Sequence, residues 1–290
     1  MPPASPTAEA GFQPFSLFAP AKVNLALHVL GRRADGYHDL DSIVAFADVG
    51  DTLRFTPAAE FTVTADGPFA AALPAQAGNI ISKAWEAAVA IAAGRGLTLP
   101  PVAVTLTKNL PVASGIGGGS ANAAAALRGF LRLAGVTEID GGITAAGLAI
   151  GADVPVCLAG ITCRMQGVGE RLTPIGGLGP WQAFLVNPMV AVSTPAVFGR
   201  LGLARGQSFG APIADETEPL SWRNDLAPAA IALSPVIGEV LERLARAPGV
   251  TRAFMSGSGA TCVALCEEGA PLPDLDPSWW AVRTVLGISS

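Results

Sequence analysis

The stretch Leu110-Pro111-Val112-Ala113-Ser114-Gly115-Ile116-Gly117-Gly118-Gly119-Ser120-Ala121-Asn122 constrains this chain more than any other. Residues 102–108 before it alternate as a strand, and residues 123–133 after it are helix formers, so the order predicted is strand, glycine loop, helix. Four glycines within residues 115–119 allow positive φ and a close backbone approach to a ligand. The first turn of the following helix adds unpaired N–H groups. Such a loop either tightens a turn for helix packing or cradles a phosphate, and its residues leave both readings open. The Gly-Lys-Ser/Thr ending of a Walker loop is absent, and Ser120 stands where a dinucleotide fingerprint has its third glycine.

Composition narrows the class. With 290 residues, 50% hydrophobic and 14% charged, the chain can bury a large core in one big domain or two moderate ones. A net charge of -5 supplies no basic field for wrapping nucleic acid. Apolar runs break before the ~20 residues of a membrane span. Residues 1–13 lack a basic region followed by an apolar one, so a cytoplasmic location is expected. Cys157, Cys163, Cys262 and Cys266 have no metal-knuckle spacing and read as buried free thiols. Two histidines, His28 and His38, are too few for a histidine-rich metal site and make a Ser-His-Asp triad hard to build.

Residues 15–19 read as a strand that Pro20 interrupts. It resumes over 22–30 with Lys22, Asn24, Ala26 and His28 on one face, either solvated or lining a pocket. Residues 32–38 form a polar turn carrying the only tyrosine, Tyr37, as an exposed residue or as a lid over a flat ligand. Strands at 38–47, 52–56 and 60–65 suggest a meander rather than βαβ units. Asn79 is placed as the cap of a helix over 80–93. A short helix at 144–149 precedes Asp153, a lone acid among Ala, Val, Pro and Cys that either caps a helix or is held for chemistry. A soft boundary near 159–160 divides the chain into 1–159 and 160–290. The second part holds strands at 161–166, 171–175 and 181–187, a helix with Ser193 or Thr194 as its cap and Pro195 in the first turn, a surface loop over 204–218 and one helical region over 224–247. Strands at 252–255, 261–266 and 280–285 follow, the first two flanking the turn Ser256-Gly257-Ser258-Gly259-Ala260.

Pro20-Ala21-Lys22-Val23-Asn24-Leu25, residues 110–124 and Ser256-Gly257-Ser258-Gly259-Ala260 resemble, in order, the three motifs of the galactokinase, homoserine kinase, mevalonate kinase and phosphomevalonate kinase (GHMP) superfamily. Arg33-Ala34-Asp35-Gly36-Tyr37-His38, Gly117-Gly118-Gly119-Ser120, Gly151-Ala152-Asp153-Val154-Pro155 and Gly167-Val168-Gly169-Glu170 are most similar to one branch of it. That branch acts on a cytidine-diphosphate-linked methylerythritol of the non-mevalonate isoprenoid pathway. The resemblance covers residues 18–285 and implies an α+β, two-domain GHMP-kinase fold with mixed sheets packed against helices and the active site in the cleft between domains. It implies transfer of the γ-phosphate of ATP to the 2-hydroxyl of that small molecule, with neither nucleic acid nor membrane as partner.

Carried over by motif, Lys22 and Asp153 are the catalytic pair, Asp153 being the candidate base. Asn79, Lys108, Pro111, Val112, Ala113, Ser114, Gly115, Ile116, Gly117, Gly118, Gly119 and Ser120 surround ATP. Tyr37 and Phe198 sandwich cytosine, His38 reads its edge and Asn24 holds the far end of the substrate. Ser256, Gly257, Ser258 and Gly259 close over the phosphates. Mg²⁺ is expected with ATP, but no acidic residue announces itself as its ligand, and Ala121 stands where many relatives have a second serine. The alternatives are another small-molecule kinase of the superfamily or a catalytically silent nucleotide-binding relative.

Overall fold

The computed structural model describes residues 12–73, 78–218 and 221–288, with only the backbone of Asn79. Two long antiparallel strands, β1 (Phe15–Arg32) and β2 (His38–Pro57), form the spine of the first sheet. Pro20 does not end β1. Pro20 still pairs with Gly50, and the strand passes it with a register shift between Pro20 and Lys22. A second shift between Asn24 and Ala26 resets the alternation, so Leu27 joins Lys22 and Asn24 on the pocket wall. Ala26 and His28 therefore do not share the Lys22 face. His28 turns the other way and donates from Nδ1 to the Ala211 carbonyl at 3.1 Å.

β3 (Thr62–Asp66) leads through a 3-10 turn, Ala70–Ala72, to α1 (Gly78–Gly94) and then to β4 (Val102–Thr107). β4 pairs parallel with β3 and antiparallel with β2, so this part is a βαβ unit and not the expected meander. Parallel pairing requires a crossover long enough for a helix, and α1 covers the sheet with buried Ile81, Ala84 and Ala88. Asn79 falls inside α1 rather than before it, and its side chain lies outside the described residues.

α2 (Gly118–Leu133) starts within the glycine loop itself, earlier than its helix formers indicate. Its buried Ala123, Leu127, Phe130 and Leu131 anchor it in the core, and the Phe130 ring meets Phe55 edge-on at 5.6 Å. α3 (Gly141–Ile150) also starts early, because the Asp140 side chain accepts from the Ile143 N–H at 2.9 Å. α4 (Val154–Ala159) follows.

β5 (Cys163–Gly167) pairs with β2, and β6 (Arg171–Pro174) pairs with β5, so the residues just past 160 return to the first sheet. The second sheet begins with β7 (Trp181–Asn187). α5 (Thr194–Arg200) takes Ser193, of the two candidates, as its cap. Ser234 and Pro235 split the expected single helical region into α6 (Ala227–Leu233) and α7 (Val236–Ala245). β8 (Val250–Met255), β9 (Cys262–Cys266) and β10 (Trp280–Leu286) complete the sheet in the order β10-β7-β9-β8, and Leu286 pairs with Ala47 to join it to β2. Cys157, Cys163 and Cys262 are buried, Cys266 is half-buried, and all four are free. No described helix is long and apolar enough to cross a membrane.

Candidate active site

A cavity of about 640 Å³ opens where β1, β4, the glycine loop, the start of α4, α5 and the turn after β8 converge. Lys22 and Asp153 meet in its wall, with Lys22 Nζ 2.9 Å from Asp153 Oδ2. Asp153 occupies the N-cap position of α4, yet its side chain makes no capping bond. Of its two sequence readings, the structure leaves the carboxylate facing Lys22, with a third of it (34%) open to solvent. Lys22 also donates to Asn24 Oδ1 at 2.8 Å. Asn24 is oriented from behind: the Ser42 hydroxyl gives its proton to the Ala26 carbonyl (2.5 Å) and accepts from Asn24 Nδ2 (2.8 Å). That leaves only the Asn24 oxygen to face the ammonium.

The glycine loop is pinned on both sides. Lys22 N–H donates to the Ile116 carbonyl at 2.9 Å, and the Ile116 side chain is wholly buried, an anchor rather than a lining residue. Gly115 has φ +76°, and a Cβ there would stand 2.6 Å from the Gly259 oxygen and 2.7 Å from the Ser256 oxygen. Only glycine fits that crossing. Ser256 is fully buried, donates to the Gly115 carbonyl at 3.0 Å and accepts from the Asn24 N–H at 3.1 Å. The Thr261 N–H reaches the Ser114 carbonyl at 3.0 Å. The Ser256 to Gly259 turn is thus a buttress behind the loop, with Gly257 and Ser258 showing at the cavity wall.

Two residues of this framework escaped the sequence reading. Asn224 Nδ2 donates to the carbonyls of Met255 (2.7 Å) and Gly257 (2.8 Å), fixing the buttress. Asp51, fully buried, accepts from Lys108 Nζ at 2.7 Å and from the N–H groups of Asn109 and Leu110 at 2.7 and 2.9 Å. Burial lowers the Lys108 pKa, opposed by the charge of Asp51. Lys108 lines the cavity near the start of α2, where a Cβ on Gly118 would lie 3.4 Å from its Nζ.

At the other end, Phe198 lines the cavity and the His38 ring stacks on it at 4.6 Å. Burial first, and Arg32 second, lower the His38 pKa, which favours the neutral ring. Tyr37 is 64% exposed on the β1–β2 turn, its N–H tied to Asp35 Oδ1 at 3.0 Å. Among the described rings, the one stacked on Phe198 is His38. Among the described residues, no group of three or more His, Cys, Asp or Glu is placed to hold a metal ion.

Two family models match the chain, GHMP kinases N terminal domain over residues 79–161 and GHMP kinases C terminal over residues 213–273. The fold is that of a GHMP kinase. A 4-diphosphocytidyl-2-C-methyl-D-erythritol kinase of Paramagnetospirillum magneticum is 48% identical, covering 92% of this chain and 96% of its own length. Its namesake in Dinoroseobacter shibae is 47% identical, covering 95% and 96%. A solved structure of 4-(cytidine 5'-diphospho)-2C-methyl-D-erythritol kinase superposes with TM-score 0.73 at 30% identity, over 95% of this chain and all (100%) of that one. A mevalonate kinase at 11% identity and TM-score 0.63, over 94% and 99%, shares the fold. The chain belongs to the 4-diphosphocytidyl-2-C-methyl-D-erythritol kinase family.

Proposed function

We propose that this protein transfers the γ-phosphate of ATP to the 2-hydroxyl of 4-diphosphocytidyl-2-C-methyl-D-erythritol, giving the 2-phosphate and ADP, in the non-mevalonate route to isoprenoid precursors. The observation that carries the mechanism is the 2.9 Å Lys22–Asp153 pair in the wall of the glycine-lined cavity. Asp153 aims the alcohol in line and accepts its proton late, as charge builds on the attacking oxygen. Lys22, steadied by Asn24, offsets charge on the transferred group, and Asn24 faces the methylerythritol end of the substrate. N–H groups of Gly117 to Ser120, at the start of the 16-residue α2, hold the phosphates, with Ser114 and Ser120 at the rim.

Adenine lies against Leu73, Ile80 and Leu106 with Lys108 beside it. Phe198 and His38 face cytosine, with Tyr37 over its outer side. Mg²⁺ accompanies ATP. Magnesium is commonly held by one or two carboxylates plus substrate phosphates, and Asp153 is the one carboxylate on the wall among the described residues. Asp153 and the Ser120 hydroxyl are the groups that would meet the ion, which supplies charge neutralisation at the phosphates. In the same reading the enzyme is cytoplasmic, acts without nucleic acid or membrane, and works as two parts divided near 159–160, with β5 and β6 of the second part added to the sheet of the first.

The test is ADP release with Mg-ATP and the cytidine substrate, set against homoserine, mevalonate and galactose. Turnover confined to the cytidine compound is the expected result. No ADP from it, or equal rates on the others, overturns the reading.

A further inference from the structure

One polar group in the cavity has no place in the chemistry above. Asn122 lines the wall, is 3% exposed, and its Oδ1 is buried without a hydrogen-bond partner. A buried acceptor left unmade is costly, and a fold keeps one where something else supplies the donor. Helical spacing locates it. Residues 118 and 122, and 119 and 122, are neighbours on one face of α2. A Cβ on Gly118 would point at Lys108 Nζ (3.4 Å), and one on Gly119 at Ile80 Cδ1 (3.8 Å). Asn122 therefore looks onto the wall of Lys108 and Ile80. Gly117, whose Cβ would touch Lys22 at 3.0 Å, and Ser120, 4.0 Å from a Cβ on Gly151, face the reacting side instead.

The chemistry of the partner follows. Phosphate oxygens are acceptors and repel a carbonyl oxygen. The donors on a nucleotide are the exocyclic amine of adenine and the ribose hydroxyls. Lys108 gives one of its three N–H bonds to Asp51, leaving others for an acceptor beside that donor. We propose that Asn122 reads the nucleoside of ATP, its side-chain oxygen accepting from the adenine amine or a ribose hydroxyl while Lys108 donates next to it. The assignment rests on the kinase reading above.

The test is calorimetric binding of ADP, inosine diphosphate and 2′,3′-dideoxy-ADP, without acceptor substrate, to the wild type, Asn122→Leu, Asn122→Ala and Asn122→Asp. The wild type should prefer ADP over one of the two analogues by about tenfold. Asn122→Leu or Asn122→Ala, whichever keeps the wild-type circular dichroism, should lose that preference, and Asn122→Asp, which keeps an acceptor, should retain it. Loss in the inosine arm assigns the amine, and loss in the dideoxy arm the hydroxyl. A wild type with no preference in either arm, or a truncated variant that keeps both, overturns the proposal. Because no acceptor is present, failure here is separate from failure of the proposed phosphoryl transfer, which turnover alone decides.

Discussion

Asp153→Asn keeps the shape of the side chain and removes its charge and its capacity to take a proton. At 2.9 Å and an effective dielectric constant of about 20, the attraction to Lys22 is roughly 6 kcal/mol before desolvation is subtracted. Solvent over a third of the acid (34%) and the cost of burying the amine reduce the net value to a small fraction of that. Lys22 also keeps its 2.8 Å bond to Asn24 in the variant, so the protein should fold and melt within a few degrees of the wild type. The loss falls on the barrier. A positioned base contributes about 10²–10⁴ in rate, or roughly 3–5 kcal/mol. The expected outcome is kcat down at least about a hundredfold. Lys22→Met should lose a similar amount, and the double variant should be little worse than the poorer single one, because each residue acts through the other. ADP release coupled to NADH oxidation reads the rate, and a thermal melt checks the fold. Near wild-type kcat in Asp153→Asn with an unchanged melt, or single losses that multiply in the double variant, would refute the pairing.

Three further outcomes follow from the same framework. Gly115→Ala forces a side chain into φ +76° with a Cβ 2.6 Å from the Gly259 oxygen, and should destabilise the fold by about 2–4 kcal/mol in urea unfolding; a midpoint like the wild type counts against the crossing. Phe198→Ala removes the ring stacked 4.6 Å from His38, so KM for the cytidine substrate should rise about tenfold while KM for ATP stays level; equal effects on both would remove Phe198 from the cytosine end. Burial, foremost, lowers the pKa of His28 and His38 below 6.5, so the unfolded chain binds protons before the folded one. Their contribution to stability is complete above about pH 6.5 and is lost as pH falls toward the folded values. His28→Leu should flatten that acid limb in urea midpoints taken from pH 7 to pH 5, and an unaltered slope would exclude His28 as a source.

Local chemistry made much of this protein legible in the sequence. Alternation marked β4, a continuous apolar run marked β7, Ser193 and Pro195 marked the start of α5, and the glycines marked strand, loop and helix around the cavity. These are properties of neighbours a few residues apart, and they leave a period or a turn signature in the chain. What only the tertiary structure decided depends on partners that no period announces. The register shift after Asn24 turned His28 away from the Lys22 face, and β4 entered between β3 and β2 to make a parallel crossover where a meander was expected. Asp51 under Lys108 is 57 residues away, and Ser256 beneath Asn24 is 232 residues away. Bulges, strand order and buried ion pairs are set by which distant segments reach each other with their polar groups satisfied, and that condition exists only once the chain has closed on itself.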